Sequence, residues 1–349
     1  MMSEPTDIPA APLMLREAEQ APDVVARQLR DNAAPAKALA AHLTRSPRRF
    51  VVTSARGSSA HAATYGKYLI ETRLGLVTAA AAPSVATLYD APLQMTDALF
   101  IAVSQSGRSP DLVRQAEAAR ACGAFTVALV NVEDSPLVEA CEAVLPLHAG
   151  EERSVAATKT FIASLTALLQ LVAHWRDDDE LRGALDRLPE TLARATALDW
   201  GAALEPLAAA DDMLVVGRGP GFAIANEAAL KMKETCALHA ESFSAAELLH
   251  GPVSLVGEDY PVLVFSQEDE TRAGVRDLIA QLRGKGANVF AAEVGEPAAG
   301  RLPVAPPLHP ACDPVAMVQS YYGFAARLAV RRGLDPDSPR HLRKVTMTR

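Results

Sequence analysis

The sequence predicts an α/β protein of two tandem lobes, each a mostly parallel sheet flanked by helices. A repeated loop signature is the first reason. Arg56-Gly57 in VVTSARGSSA returns 162 residues later as Arg218-Gly219 in LVVGRGPGFA, and Ser104-Gln105 in FIAVSQSGRS returns at the same offset as Ser266-Gln267 in VLVFSQEDET. Two motifs sharing one gap-free offset mark two copies of one unit. The second reason is that the strand-length apolar runs are continuous rather than alternating, as in strands buried on both faces of a parallel sheet. The third is that helical patterns alternate with these runs.

Taken in order, the residues up to about Pro12 are expected to be disordered. Apolar residues at helical spacing from Leu13 to Leu43 (Leu15, Val24, Val25, Leu29, Leu39) predict an N-terminal helical arm. Strands are expected at 50–53, 98–103 and 125–130, with helices at 60–71, 110–122 and 136–140. Pro110 suits a first helical position and Gly123 a C-cap. A long helix over 158–176 contains FIASLTALLQLVAHW, about 15 residues broken by Ser164, Thr166 and Gln170. It falls short of the roughly 20 residues needed to span a bilayer and reads as a buried helix. The charged stretch RDDDELRGALDRLPE is expected to connect the lobes. In the second lobe strands are expected at 213–216, 261–265 and 288–292. VAPPLHPACDP is too proline-rich for a regular element, a last helix follows over 315–332, and the tail 340–349 is basic.

Composition narrows the function classes. A chain of 349 residues with 49% hydrophobic side chains can bury two cores, and a net charge of −8 provides no basic field for nucleic acid or an anionic membrane. A small anionic ligand would have to be held by local dipoles. Aromatics are only 5%, too few for a base-stacking platform. Cys122, Cys141, Cys236 and Cys312 form no CxxC pair and the eight histidines have no ligand-like spacing, so no metal or other cofactor is expected and the thiols are expected to be reduced. The N-terminus has no basic region leading into an apolar run. A cytoplasmic protein is expected.

The chemistry concentrates in two loops and one helix. Arg56, Gly57, Ser58 and Ser59 lie between a predicted strand and a predicted helix, where free N–H groups, the helix dipole and two hydroxyls favour a phosphate or carboxylate. Ser104, Gln105, Ser106 and Ser109 repeat that setting. The equivalent second-lobe loop carries Glu268, Asp269 and Glu270, which repel an anion. An anion site in the first lobe alone is expected. Glu227, Lys231 and Glu234 are spaced i, i+4, i+7 along one helical face, and on spacing alone they read as a surface ladder. His250 precedes Gly251-Pro252 at a helix end, where histidine commonly caps.

SARGSS, SQSGRSPD, ERSVAATKTF, EAALKMKE, HAESFSAAELLHGP and the terminal LRKVT occur in an order that resembles the sugar isomerase (SIS) family. The likeness runs from about Met14 to Lys344 and is similar to the isomerase half of glucosamine-6-phosphate synthase and to free-standing glucosamine-6-phosphate deaminases. It implies two tandem SIS lobes, each a flavodoxin-like three-layer sandwich. The expected divisions are an arm (1–30), a first SIS domain with the phosphate cradle (31–195), a second with the catalytic helix (196–339), and a tail over the site (340–349).

The resemblance also implies roles. Arg56, Gly57, Ser58, Ser59, Ser104, Gln105, Ser106, Ser109 and Val155 would bind the sugar phosphate, with Lys344 lying over it. Glu234 would shuttle the C1–C2 proton, Lys231 would stabilise the developing enolate, and Glu227 would partner Lys231. His250 would open the pyranose ring from a neighbouring subunit, which implies a homodimer with shared active sites. Three departures from the synthase are Arg56 in place of cysteine, Arg108 in place of glutamate and Ala157 in place of serine. The two arginines are expected to add charge near the anion, as in deaminase and deglycase relatives. With no glutaminase domain and no catalytic N-terminal cysteine in the sequence, the expected activity is conversion of glucosamine 6-phosphate to fructose 6-phosphate and ammonia. The alternatives are a fructosamine-type 6-phosphate deglycase, a galactosamine-6-phosphate deaminase, and a non-catalytic sugar-phosphate sensor.

Overall fold

The computed structural model describes residues 11–344. The expectation of disorder before Pro12 and the last five residues of the tail therefore lie almost wholly outside the described residues. The first lobe contains β1 (Phe50–Ala55), β2 (Thr78–Ala80), β3 (Ala98–Ser104), β4 (Phe125–Val130) and β5 (Ala143–Pro146), and the second contains β6 (Asp212–Gly217), β7 (His239–Ser244), β8 (Pro261–Ser266), β9 (Asn288–Glu293) and β10 (Arg301–Leu302). The sheets run β2-β1-β3-β4-β5 and β10-β9-β8-β6-β7. All pairings are parallel. Read along the chain within each lobe, the two orders are identical, and the sequence repeat is a repeat of fold.

Fourteen α-helices surround the sheets among the described residues. They are α1 (Leu13–Glu19), α2 (Ala21–Asp31), α3 (Ala33–Arg45), α4 (Ser58–Leu74), α5 (Pro83–Thr87), α6 (Pro110–Ala121), α7 (Pro136–Ala140), α8 (Lys159–Arg176), α9 (Asp179–Thr196), α10 (Leu204–Ala208), α11 (Pro220–Cys236), α12 (Ala245–Leu248), α13 (Arg272–Gly284) and α14 (Asp313–Arg331). The 162-residue offset carries β1 onto β6 and α4 onto α11 end for end. It also reproduces the turn between them, with Gly57 at φ +53°, ψ −135° and Gly219 at φ +55°, ψ −136°. That left-handed conformation is open to glycine and strained for other residues.

The strands anticipated from continuous apolar runs are the central ones, and β3 is buried at every position. The edge strands β2, β7 and β10 carry no such run, and β5 is only the four residues AVLP. β7 reads HAESFS and exposes His239 and Glu241, so its residues look like loop until a parallel neighbour pairs with them. The charged stretch expected as a plain connection is instead the 18-residue helix α9. Asp178 caps it by accepting the Leu181 N–H at 2.9 Å, and Leu181, Leu185, Leu188 and Leu192 form its buried face against α2 and α14.

One continuous core runs through both lobes, formed by α4, α8, α11, α14 and the N-terminal helices. Smaller clusters cover the outer faces of the two sheets. Every residue of α8 from Lys159 to Ala173 is buried. No helix among the described residues is long and apolar enough to cross a membrane. Gly66 of α4 sits against Leu168 of α8, where an added Cβ would lie 3.0 Å from a Leu168 methyl carbon. Because this packing supports the helix that leads from the first loop, Leu168→Ala is expected to lower unfolding free energy by about 2–5 kcal/mol in chemical denaturation.

Candidate active site

The loops after β1 and β3 open at the carboxyl edge of the first sheet, where the strand order reverses and α/β sheets bind ligands. The turn after β1 delivers the chain into α4, so Ser58 and Ser59 occupy its first turn, where backbone N–H groups have no intrahelical acceptor. The loop after β3 is shaped by Gly107 at φ +63°. An added Cβ there would fall 2.1 Å from Ser135 Oγ, so the position is closed to larger residues. Ser104 Oγ accepts the Gly107 N–H at 3.1 Å, and Pro110 is the first residue of α6. These elements bound a cavity of about 360 Å³ lined by Arg56, Gly57, Ser58, Ser59, Ser104, Gln105, Ser106, Ser109 and Val155, with Lys231, Glu234 and Lys344 facing the same space.

The opposite wall is α11. Glu227 and Lys231 are fully buried, which overturns the surface-ladder reading that spacing suggests. Lys231 Nζ donates to Glu234 Oε2 at 2.5 Å and to Ser58 Oγ at 3.0 Å, and lies 3.3 Å from Glu227 Oε1. Glu227 also accepts from Tyr322 Oη at 3.1 Å and from His61 Nδ1 at 2.9 Å. Burial pushes the Glu227 carboxyl up, but Lys231 and His61 outweigh it and hold the group below its usual value. Burial likewise pushes the Lys231 ammonium down, and Glu227 with Glu234 reverses that to a raised value. Lys231 is therefore a fixed cation and Glu227 a fixed anion. Glu234 differs in being partly open to the cavity, with its side chain 22% exposed.

The tail closes a third side. Lys344 Nζ donates to Glu152 Oε2 at 2.9 Å and to the Ser154 carbonyl at 2.7 Å, while Leu342 and Arg343 reach the cavity. Burial raises the Glu152 carboxyl, and Lys344 with the Thr158 and Thr160 donors turns the balance to a lowered value. The loop between carries Val155 and Ala157 and is fixed from behind by Glu17 of α1, which accepts the Arg153 and Ser154 N–H groups at 2.6 and 3.0 Å.

The expectation of two extra positive charges at the anion site needs correction. Arg56 lines the cavity, but its Nε and Nη2 are both 2.8 Å from the buried Asp111 carboxylate, which offsets its charge. Arg108 points away and donates to the Asp134 carbonyl at 2.8 Å. His250 is exposed on the turn after α12 and does not line the cavity. Residues that sequence reasoning missed are His61, Asp111, Glu152 and Tyr322. Each has a charged or hydrogen-bonding partner far away in sequence, so no local pattern marks it.

The second lobe shows why its matching loop is no cradle. Asp269 accepts the Thr271 N–H at 2.8 Å and Gln267 Nε2 at 2.8 Å, and Gln267 Nε2 also donates to the Arg218 carbonyl at 2.9 Å. Glu268 pairs with Arg272. The loop's own Asp269 carboxylate thus takes up the Thr271 N–H and the Gln267 amide donor that an anion would need.

With this geometry in place, comparison with known proteins decides the family. Residues 42–174 and 206–292 match the SIS domain. The chain belongs to the SIS domain family. It is 34% identical over 304 residues to glutamine–fructose-6-phosphate aminotransferase [isomerizing] of Aquifex aeolicus (strain VF5), covering 85% of this chain and 51% of that protein. The chain thus spans about half the length of the curated relatives it matches. A candidate phosphosugar isomerase from Silicibacter pomeroyi DSS-3 superimposes with a TM-score of 0.89 at 46% identity, covering 93% of this chain and all of that one. Glucosamine-6-phosphate deaminase from Thermotoga maritima shares the fold at a TM-score of 0.75 and 19% identity, covering 96% of this chain and 100% of that chain.

Buried charge at Glu227 generates a pH test. Because its folded value is depressed, its contribution to stability is present above the ordinary carboxylate value of 4.5 and is lost as pH falls through the lower folded value. Glu227→Gln is expected to cost about 3 kcal/mol at pH 7, the lower end for breaking a buried pair because Glu234 still partners Lys231. Urea titrations of both proteins should show this gap constant above about pH 5 and closing only below pH 4.5.

Proposed function

We propose that this protein deaminates and isomerises glucosamine 6-phosphate, giving fructose 6-phosphate and ammonia. The observation that carries the reading is Lys231 Nζ, which bridges Ser58 of the anion cradle and Glu234 within one cavity. A cradle of hydroxyls and helix N-termini suits a phosphate, and a carboxylate paired with lysine at 2.5 Å suits a proton transfer next to a carbonyl. In this reading His250 opens the ring to the aldehyde. Glu234 then removes the C2 proton, while Lys231 faces the negative charge that develops on the C1 oxygen. Return of the proton to C1 gives the C2 ketimine, and one water releases ammonia and leaves the ketose. The names of the relatives support fructose 6-phosphate and its amino-sugar counterpart as the substrate class.

A sensor reading is less well supported. Burying Lys231 between two carboxylates costs several kcal/mol of desolvation per ion before any pairing, which binding alone does not require. The reading extends to a homodimer with shared sites, because His250 is exposed on its own protomer and outside the cavity.

Three variants test the proposal. Glu234→Gln keeps shape and removes the base, so ammonia release from glucosamine 6-phosphate should fall about 10²- to 10⁴-fold with little change in KM. In D2O the wild-type product should carry deuterium at C1. Absence of ammonia from the wild type, or near-normal turnover by the variant, would overturn the reading. Ser106→Asp puts a carboxylate into the cradle and should abolish sugar-phosphate binding by calorimetry. Unchanged affinity there would move the phosphate elsewhere. For the shared site, mixing inactive Glu234→Gln with inactive His250→Ala should restore activity after subunit exchange, and no recovery in proven heterodimers would confine the site to one protomer.

A further inference from the structure

We infer that His61 is a positioning residue for the Lys231–Glu234 pair, acting across the lobe interface through Glu227. This rests on the reading of Glu234 as the proton-transferring group. His61 lies outside the cavity lining, so it does not itself touch a ligand there. It stands on α4 three residues after Ser58, on the same side of the helix, and both side chains face α11.

The argument starts from the two oxygens of Glu227. Oε1 receives Tyr322 Oη at 3.1 Å and lies 3.3 Å from Lys231 Nζ, while Oε2 has His61 Nδ1 at 2.9 Å. Lys231 and His61 hold Glu227 ionised against its burial, so it can only accept hydrogen bonds, and Nδ1 must carry the proton it donates. A fully buried carboxylate that loses one strong donor seeks another. The Ser58 hydroxyl already bonds to Glu227, so the donor left to move is Lys231 Nζ, whose distance to Glu227 is 0.8 Å longer than the 2.5 Å to Glu234. His61 therefore restrains Glu227 from drawing the ammonium back. With His61 present, Nζ remains committed to Ser58 and Glu234, the two groups that face the cavity. The charges around this array are Glu227, Lys231 and Glu234 on α11 and His61 on α4, with the Tyr322 hydroxyl contributed by α14.

Substitutions at His61 separate positioning from simple packing. Asn can place its amide nitrogen near the former Nδ1 and donate to Glu227, whereas Leu fills similar volume and donates nothing. We expect His61→Leu to lower kcat about 10- to 100-fold, by analogy with the loss of outer partners that orient metal-bound ligands. KM should remain within about twofold because Ser59 and the Ser104–Ser109 loop are untouched, and His61→Asn should recover most of the rate. Crystal structures should show Nζ displaced from Ser58 towards Glu227 in the Leu variant alone. Solvent-deuterium exchange at C1 of fructose 6-phosphate should follow the same order as kcat. That exchange needs the proton shuttle but no amine, so a wild type that exchanges without releasing ammonia would refute the deaminase reading while leaving this inference testable. Leu and Asn variants that lose rate equally, a Leu variant with normal exchange, or an Nζ position unchanged by Leu would each overturn the inference.

Discussion

The structure depends on one buried cation. Lys231 is enclosed between the carboxylates of Glu227 and Glu234, and its hydrogen-bond requirement is completed by Ser58 from the other lobe. Desolvating an ammonium and a carboxylate costs several kcal/mol per ion, so the array persists only where every partner is fixed. Ser58 and His61 are fixed by α4, and Tyr322 by α14. The packing of α4, α11 and α14 in one shared core is what holds these donors in register. Sliding either lobe would strand at least one charge.

Duplication supplied both halves of the site from one template. The glycine turn before α4 and its copy before α11 have the same backbone conformation, yet the two helices are used differently. α4 presents its N-terminus to the cavity, so its dipole and hydroxyls serve an anion. α11 presents its flank, and its ionisable side chains serve proton transfer. The second-lobe loop is closed by Asp269 and Gln267, which makes the asymmetry a matter of side chains on a conserved frame.

How much of this was legible depended on the distance over which each feature is decided. Central strands such as β3 announced themselves because burial on both faces demands an unbroken apolar run. β2 exposes two of its three residues, and β7 alternates with polar ones, so neither carries that signature. The cavity-lining serines were legible as local loop chemistry. The burial of Glu227 was not, because i, i+4 spacing is the same on a surface and in a core. Its partners His61 and Tyr322 lie 166 and 95 residues away. The same holds for Lys344 and Glu152, whose pairing spans 192 residues, and for the Asp111 carboxylate that offsets Arg56.

The central claim is that one cavity aligns an anion cradle from the first lobe with the Lys231–Glu234 pair from the second. The direct measurement is a crystal structure with glucitol 6-phosphate, an open-chain analogue that cannot react. The account predicts its phosphate among Ser58, Ser59 and the Ser104–Ser109 loop, with C1 and C2 against the Glu234 carboxylate. A phosphate bound at the 266–271 loop, or a C1–C2 end turned away from Glu234, would contradict it.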